Sequence, residues 1–240
     1  MSNKVLSFDI EHWYESYRFR KIPHWKNFFH SDASIVEKII EILLETNNKA
    51  TFFVTGKFAI ENKNLVNDAH LSGFEIASHS FKHKLLTDMN YNEIYDDLKK
   101  SKYVLEDIIG SEIYGFRAPK WSVNYKNQKY IYEILDQIGF KYDSSIFPYK
   151  FSTGPLKKES LQEFAVGKRI LFMLPATTTR FLGFRIPQGG FYFRLIPLFL
   201  SEKMLEKVDK INKYTHLFLH PYDLDPHVPW VKKAPLKVNL

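Results

Sequence analysis

Apolar residues fall into two kinds of run along this chain, and the two kinds take turns. Short, near-continuous apolar runs occupy 5–8, 50–54, 73–77, 114–116, 140–142 and 216–219, with weaker ones at 164–166 and 170–174. Runs of this length without strict alternation read as strands buried on both faces. Between them lie apolar stripes at helical spacing. Ile35, Val36, Ile39, Ile40, Leu43 and Leu44 form one, and Ser34 with Glu37 has capping-box spacing in front of it. Asn90 with Glu93 precedes a second stripe of Tyr91, Ile94, Tyr95, Leu98, Leu105 and Ile108. Tyr130, Ile131, Ile134, Leu135 and Ile138 make a third, ended by Gly139; Leu200, Met204, Leu205, Val208 and Ile211 make a fourth. Strands that alternate with helices predict parallel βα units, so the fold class is α/β. Residues 144–162 and 175–190 read as long connections, and the Pro-rich tail from about Pro221 reads as extended.

Composition narrows the picture. The chain has 240 residues, 45% hydrophobic and 25% charged, the balance of an ordinary folded protein. No tandem repeat or low-complexity linker divides it, so 1–240 is expected to be one domain. There is no cysteine, which excludes disulfides, thiolate metal sites and a cysteine nucleophile. The densest apolar stretch, 191–200, is broken by Arg194 and Pro197 and falls short of the ~18 residues of a membrane span. The N-terminus lacks the apolar core of an export signal, so the expected location is cytoplasmic, including the inner membrane surface. The formal net charge is +7, which favours anionic partners. The lysines are scattered rather than clustered, and no nucleic-acid partner is expected.

Chemistry gathers where the strands end. Asp9 and Glu11 close the first run, Ser78, His79 and then His83 the third, Arg117 the fourth, Asp143 the fifth and His220 the last. Parallel strands open their C-terminal ends on one face, so these side chains are expected to converge there. The spacing of His79 and His83 puts both imidazoles on one side of a helical turn, and Asp9 and Glu11 share one face of a strand. Two neutral imidazoles with one carboxylate suit Zn²⁺, while the second carboxylate stays free as a base. Aromatic residues near presumed loops, namely Trp13, Tyr14, Trp25, Trp121, Tyr192 and Trp230, are candidate sugar-stacking walls.

The segments SFDIEHW (7–13), ATFFVTGKFA (50–59), GFEIASHSFKH (73–83), GFRAPKWS (115–122), GFKYDSSIFP (139–148), PQGGFYFR (187–194) and LFLHPYDLDP (217–226) together resemble the polysaccharide deacetylases. These are the NodB-homology, family 4 carbohydrate esterase-like enzymes, and the branch resembled is the one of exopolysaccharide and O-antigen loci. The resemblance spans about 4–228 and implies a single-domain distorted (β/α)7 barrel. It implies metal-dependent N-deacetylation of an N-acetylated sugar in a surface polysaccharide or its lipid-linked precursor. It makes Asp9 the base that activates the attacking water, and Glu11, His79 and His83 the ligands of Zn²⁺ or another divalent ion such as Co²⁺. Arg117 orients the base, His220 is the general acid, and the backbone N–H of Lys120 is the oxyanion donor. Trp121, Phe147 and Tyr192 are the expected substrate contacts. The chain departs from the family pattern in two places. Ile10 stands where a second aspartate usually binds metal, so Glu11 takes that role. The fifth segment has no Trp, and Asp143 is the candidate partner of His220. Alternatives are a metal-independent amidohydrolase of the same fold, a deformylase, and an inactive glycan-binding relative. The basic surface suits a diphosphate-linked carrier and peripheral membrane association.

Overall fold

The computed structural model describes residues 3–15, 32–147, 162–166, 169–181, 184–212 and 214–227. Trp25, Trp230, the tail beyond 227 and most of the 144–162 connection lie outside them. In chain order the elements are β1 (Asn3–Ile10), α1 (Asp32–Glu45), β2 (Thr51–Val54), α2 (Gly56–Glu61), α3 (Lys63–Leu71), β3 (Glu75–Ser78), α4 (Tyr91–Ile109), β4 (Gly115–Phe116), α5 (Gln128–Ile138) and β5 (Tyr142–Asp143). There follow β6 (Gln162–Val166), β7 (Arg169–Met173), β8 (Thr178–Phe181), β9 (Phe184–Pro187), α6 (Phe191–Leu195), α7 (Leu198–Asn212), β10 (Tyr214–Leu219) and α8 (Pro221–Leu224).

One sheet runs β10-β1-β2-β3-β4-β5-β7-β6. The first seven are parallel to their neighbours, and β6 pairs antiparallel on the edge. Seven curled parallel strands are the framework of a distorted (β/α)7 barrel. The helices pack their apolar stripes on it: Val36, Ile39, Ile40 and Leu43 from α1, Ile94, Leu98, Leu105 and Ile109 from α4, and Ile131, Ile134 and Leu135 from α5 are all buried. Each such side chain contributes about 1.5–3 kcal/mol over leaving it exposed. The Asn90–Glu93 capping box is present, and Gly139 ends α5 in the left-handed conformation.

Several expectations need correction. α1 starts at Asp32, so Ser34 and Glu37 lie inside the helix and form no capping box. Asp32 instead accepts from His12 Nδ1 and from the Trp13 N–H, each at 3.2 Å. The 175–190 segment is not a plain connection: β8 and β9 pair as an antiparallel hairpin. Its flanks bring β10 toward the end of β7. The Tyr214 hydroxyl donates to the Pro175 carbonyl, the His216 N–H donates to Thr177 Oγ1, and the Gln188 N–H donates to the Thr177 carbonyl. Residues 188–190 then lie along β10, where Gly189 bridges Phe218 and the Gly190 N–H donates to the Phe218 carbonyl.

Gly189 carries this closure. Its φ is +140°, and a Cβ there would sit 1.9 Å from the Phe218 carbonyl oxygen. That oxygen belongs to a paired backbone and cannot swing aside. Gly189→Ala is expected to cost about 2–4 kcal/mol through strain and overpacking. Urea denaturation checks this, and a variant within about 0.5 kcal/mol of the parent would show that the closure tolerates a side chain.

Candidate active site

The ladder register builds the site. Ile10 pairs with Val54, Val54 with Ser78, Ser78 with Phe116, and Phe116 with Asp143. One residue beyond this rung stand Glu11, Thr55, His79, Arg117 and Ser144. On the other side of β1 the last pair is Phe8 with Leu219, and one residue beyond it stand Asp9 and His220. Side chains scattered along the sequence from Asp9 to His220 therefore meet at one end of the sheet.

Arg117 is the centre and is fully buried. Its NH1 donates to Asp9 Oδ1 at 2.5 Å, Nε to the Ser144 carbonyl at 3.3 Å, and NH2 to Ser144 Oγ at 2.9 Å and His216 Nε2 at 3.0 Å. The guanidinium lies over the Phe53 ring at 3.9 Å and the Trp121 ring at 4.8 Å. A guanidinium only donates, so His216 Nε2 accepts and its ring is neutral. Burial, and then the positive charge of Arg117, hold its pKa down to about 3. Burial pushes the Asp9 carboxyl up, but the charges of Arg117, His79 and His220 outweigh it and keep Asp9 below the ordinary aspartate value. Asp9 Oδ2 lies 3.9 Å from His79 Nε2 and 3.9 Å from His220 Nε2. The base candidate thus stands between the two imidazoles.

Glu11, His79 and His83 are buried, and one donor atom from each lies within 4.8 Å of the others. The sequence expects the histidines on a helical turn; they occupy a loop after β3. Ser80 and His83 there take left-handed φ values of 64° and 51°. The loop is pinned by Asp97 of α4, which accepts from the Phe81 and Lys82 N–H groups. His79 Nδ1 donates to the Arg117 carbonyl at 2.8 Å, and His83 Nδ1 donates to the Glu15 carbonyl at 3.0 Å. Both Nε2 atoms are thereby turned toward Glu11. Burial lowers the His79 pKa to about 4, so it is neutral near pH 7. Burial raises Glu11, but the charge of His83, together with those of His220 and His79, brings it down to about 2. Glu11 Oε2 has no hydrogen bond of acceptable geometry among the described residues, although His83 Nε2 approaches to 2.5 Å as an ion pair. Two imidazoles fixed by backbone carbonyls, facing a buried and under-satisfied carboxylate oxygen, are a donor set that fits a divalent metal such as zinc.

His220 precedes α8. Its Nδ1 donates to Asp223 Oδ2 at 2.8 Å, which points Nε2 at Asp9. Burial lowers its pKa, but Asp223, Glu11 and Asp9 raise it to about 9, so the ring is protonated near neutrality. The partner of His220 is therefore Asp223 and not Asp143. Asp143 accepts instead from the Ser145 N–H and hydroxyl and from the Tyr132 hydroxyl. Burial outweighs these donors and lifts it to about 7. The spacing of His220 and Asp223, three apart at a helix start, was the available signal.

The remaining expected residues divide. Lys120 sits in a 3-10 turn, Pro119–Trp121, with a left-handed φ of 51°. Trp121 packs against Phe147 and Phe218, with centroids at 5.3 and 5.1 Å. Both Trp121 and Phe147 are half-buried, and Trp121 lies beside Arg117. Tyr192 is exposed on α6, two residues past Gly190, where a Cβ would lie 3.8 Å from His220 Cε1. Trp13 is buried and is no sugar platform. Tyr222, Asp223, Ser144 and His216 are site residues that sequence reasoning missed.

Residues 25–142 match the family model for polysaccharide deacetylase. This segment, nearly half of the chain, belongs to the polysaccharide deacetylase family. Residues 144–240 match a second model, a domain of unknown function (DUF3473). Strands from both segments share one sheet, because β5 pairs with β7, and β1, which precedes both segments, lies between β2 and β10. A peptidoglycan-N-acetylglucosamine deacetylase of Listeria monocytogenes is 33% identical over 92 residues, covering 38% of this chain and 20% of that protein. A chitooligosaccharide deacetylase of Azorhizobium caulinodans is 32% identical over 111 residues, covering 45% of this chain and 50% of that protein. The match thus takes in a fifth to a half of these relatives' lengths. Among solved structures, a Mycobacterium smegmatis chain assigned as a polysaccharide deacetylase has a TM-score of 0.67 at 20% identity, over 92% of this chain and 78% of that one. A family 4 carbohydrate esterase from Streptomyces lividans, in complex with acetate, has a TM-score of 0.55 at 11% identity, over 93% and 81%. These likenesses show the fold.

Proposed function

We propose that this protein is a metal-dependent N-deacetylase that hydrolyses the acetamide of an N-acetylated sugar in a surface glycan or its lipid-linked precursor. One observation carries the reading: Asp9, ionised and clamped by Arg117, stands 3.9 Å from an imidazole of the Glu11–His79–His83 cluster and 3.9 Å from the protonated His220. A divalent ion held by Glu11, His79 and His83 would supply Lewis acidity at the amide carbonyl. Asp9 takes the proton of the attacking water, and Arg117 keeps its carboxylate aimed. Lys120, in the turn after Arg117, would offer its backbone N–H to the developing oxyanion. His220 gives its Nε2 proton to the departing nitrogen while Asp223 holds Nδ1. Water adds to the carbonyl carbon, the C–N bond breaks, and acetate and an amino sugar leave. The half-buried Trp121 and Phe147 offer faces to the sugar.

The same reading places the protein at a membrane surface. Leu195, Leu198 and Phe199 are 49%, 61% and 62% exposed on α6 and α7, with Leu224 of α8 also exposed. α6 is tied to α8 because Arg194 donates to the Tyr222 carbonyl. An apolar face beside the site, on a chain of net charge +7, suits a bilayer that carries an anionic lipid-linked sugar.

Three outcomes are expected. The purified chain carries about one Zn²⁺ or Co²⁺ and releases acetate from N-acetylated oligosaccharides until a chelator is added. Asp9→Asn keeps the metal and loses turnover by at least about 10²-fold, and His79→Ala loses both. No metal uptake together with unimpaired hydrolysis would favour a metal-independent amidohydrolase, and formate in place of acetate would favour a deformylase. The second outcome concerns pH. His220 is active as the protonated acid, so turnover is retained below about pH 9 and lost above it. Asp223→Asn removes the largest raising contribution and moves this alkaline limb to lower pH in a pH–rate profile. An unmoved limb would take the role from His220. The third concerns membranes. Vesicles containing phosphatidylglycerol should sediment the parent but not a Leu198→Asp/Phe199→Asp variant, whose hydrolysis of soluble oligosaccharide is unchanged. Equal sedimentation of both would remove the membrane from the proposal.

A further inference from the structure

Tyr222 joins the two halves of the site. Its hydroxyl lies 2.8 Å from Glu11 Oε1 and donates to it. Its ring stacks on His220, with centroids 4.7 Å apart and planes 12° from parallel. A carboxylate oxygen only accepts, so the phenol is the donor of this pair. α8 holds the residue in place: the Asp223 carboxylate accepts from the His220 N–H, and Arg194 grips the Tyr222 carbonyl. The two oxygens of Glu11 are therefore unlike. Oε1 is satisfied by a neutral donor, and Oε2 is left facing His83 and His79.

We infer that Tyr222 is a positioning residue that selects Glu11 Oε2 as the single carboxylate donor toward a cation and fixes the plane of the His220 imidazole. The inference rests on the three-ligand reading above. A neutral phenol suits this task, because a lysine or arginine in its place would neutralise Glu11 and compete with the cation. Tyr222 lies two residues after His220 and one before Asp223, so one short helix brings the acid, its carboxylate partner and the clamp on the ligand to the site together.

Two variants separate the two contacts. Tyr222→Phe keeps the ring on His220 and deletes the hydrogen bond; Tyr222→Leu deletes both. Metal-free protein is titrated with Zn²⁺ in competition with a chromogenic chelator, and thermal unfolding of the metal-free protein controls for folding. Tyr222→Phe is expected to weaken Zn²⁺ binding about tenfold, the usual size of a lost partner to a metal ligand, with an unchanged metal-free Tm. Its turnover at saturating Zn²⁺ falls less than that of Tyr222→Leu, which also loses the stack. A folded Tyr222→Phe that binds Zn²⁺ within twofold of the parent overturns the role of Tyr222. Equal turnover of the two variants at saturating Zn²⁺ overturns its hold on His220. A parent protein that binds no Zn²⁺ overturns the three-ligand reading itself, which the titration of the parent reveals separately.

Discussion

Arg117 carries a full positive charge with no exposure to water, and the rest of the site is arranged around that constraint. Taking an ion out of water costs several kcal/mol unless its partners are well placed. Here the partners come from four places in the sheet: Asp9 on β1, Phe53 on β2, Ser144 after β5 and His216 on β10. Only one of them is negative. His216 and Ser144 satisfy donors without cancelling charge, so the field of the guanidinium falls mainly on Asp9. A second carboxylate at position 216 would divide that field and let the Asp9 pKa rise. The neutral imidazole is thus part of what keeps the base ionised in a dry site.

The parallel register turns this local requirement into a fold requirement. A slip of one residue between β1 and β10 would carry Asp9 away from His220 and His216 from Arg117. Backbone strain collects at the same end. Of the non-glycine residues with positive φ among the described residues, Ser80, His83, Lys120 and Trp121 lie in the two loops beside Arg117, and Asn47 alone lies elsewhere. Such conformations cost of order 1–3 kcal/mol each and persist only where surrounding contacts fix them. The contacts that fix the 79–83 loop are visible: Asp97 holds two of its N–H groups, and the Ser80 carbonyl accepts from the Gly56 N–H.

Much of this was legible in the sequence because burial on both faces leaves a plain trace. Each of the eight apolar runs proposed as strands overlaps a strand, although the 140–142 run shares only Tyr142 with β5 and the 164–166 run lies in the antiparallel edge strand β6. The positions of Asp9, Glu11, His79, Arg117 and His220 followed from where those runs stop. What was not legible depended on partners rather than pattern. The β8–β9 hairpin carries a mixed composition, and its register is set by the pairing of the two strands while its flanks are held by hydrogen bonds to β10. The His79–His83 spacing suggested a helical turn, yet tertiary contacts with α4 hold it in a strained loop. Asp143 ends a strand and was the natural partner for His220, but its side chain is already taken by Ser145 and Tyr132. Asp223, three residues from His220, has the spacing of a plain helix cap, so its bond to the imidazole shows only in the folded geometry.

Charge balance gives the last constraint. Asp9 pairs with Arg117, and Asp223 pairs with the protonated His220. Glu11 is then the one site carboxylate left with imidazoles alone, and His79 beside it is neutral. Tyr222 answers one of its oxygens with a hydrogen bond but with no charge. The other oxygen draws His83 into an ion pair, which is why burial fails to hold the His83 pKa down against Glu11 and Glu15. A proton on His83 is one way to meet that residual negative charge, and a divalent ion on the Nε2 atoms and Oε2 is another; ligation by neutral imidazole means the two exclude each other. The surrounding groups concentrate negative charge on one oxygen that faces two imidazoles, and that pattern follows from how Asp9, Asp223 and Tyr222 are already engaged.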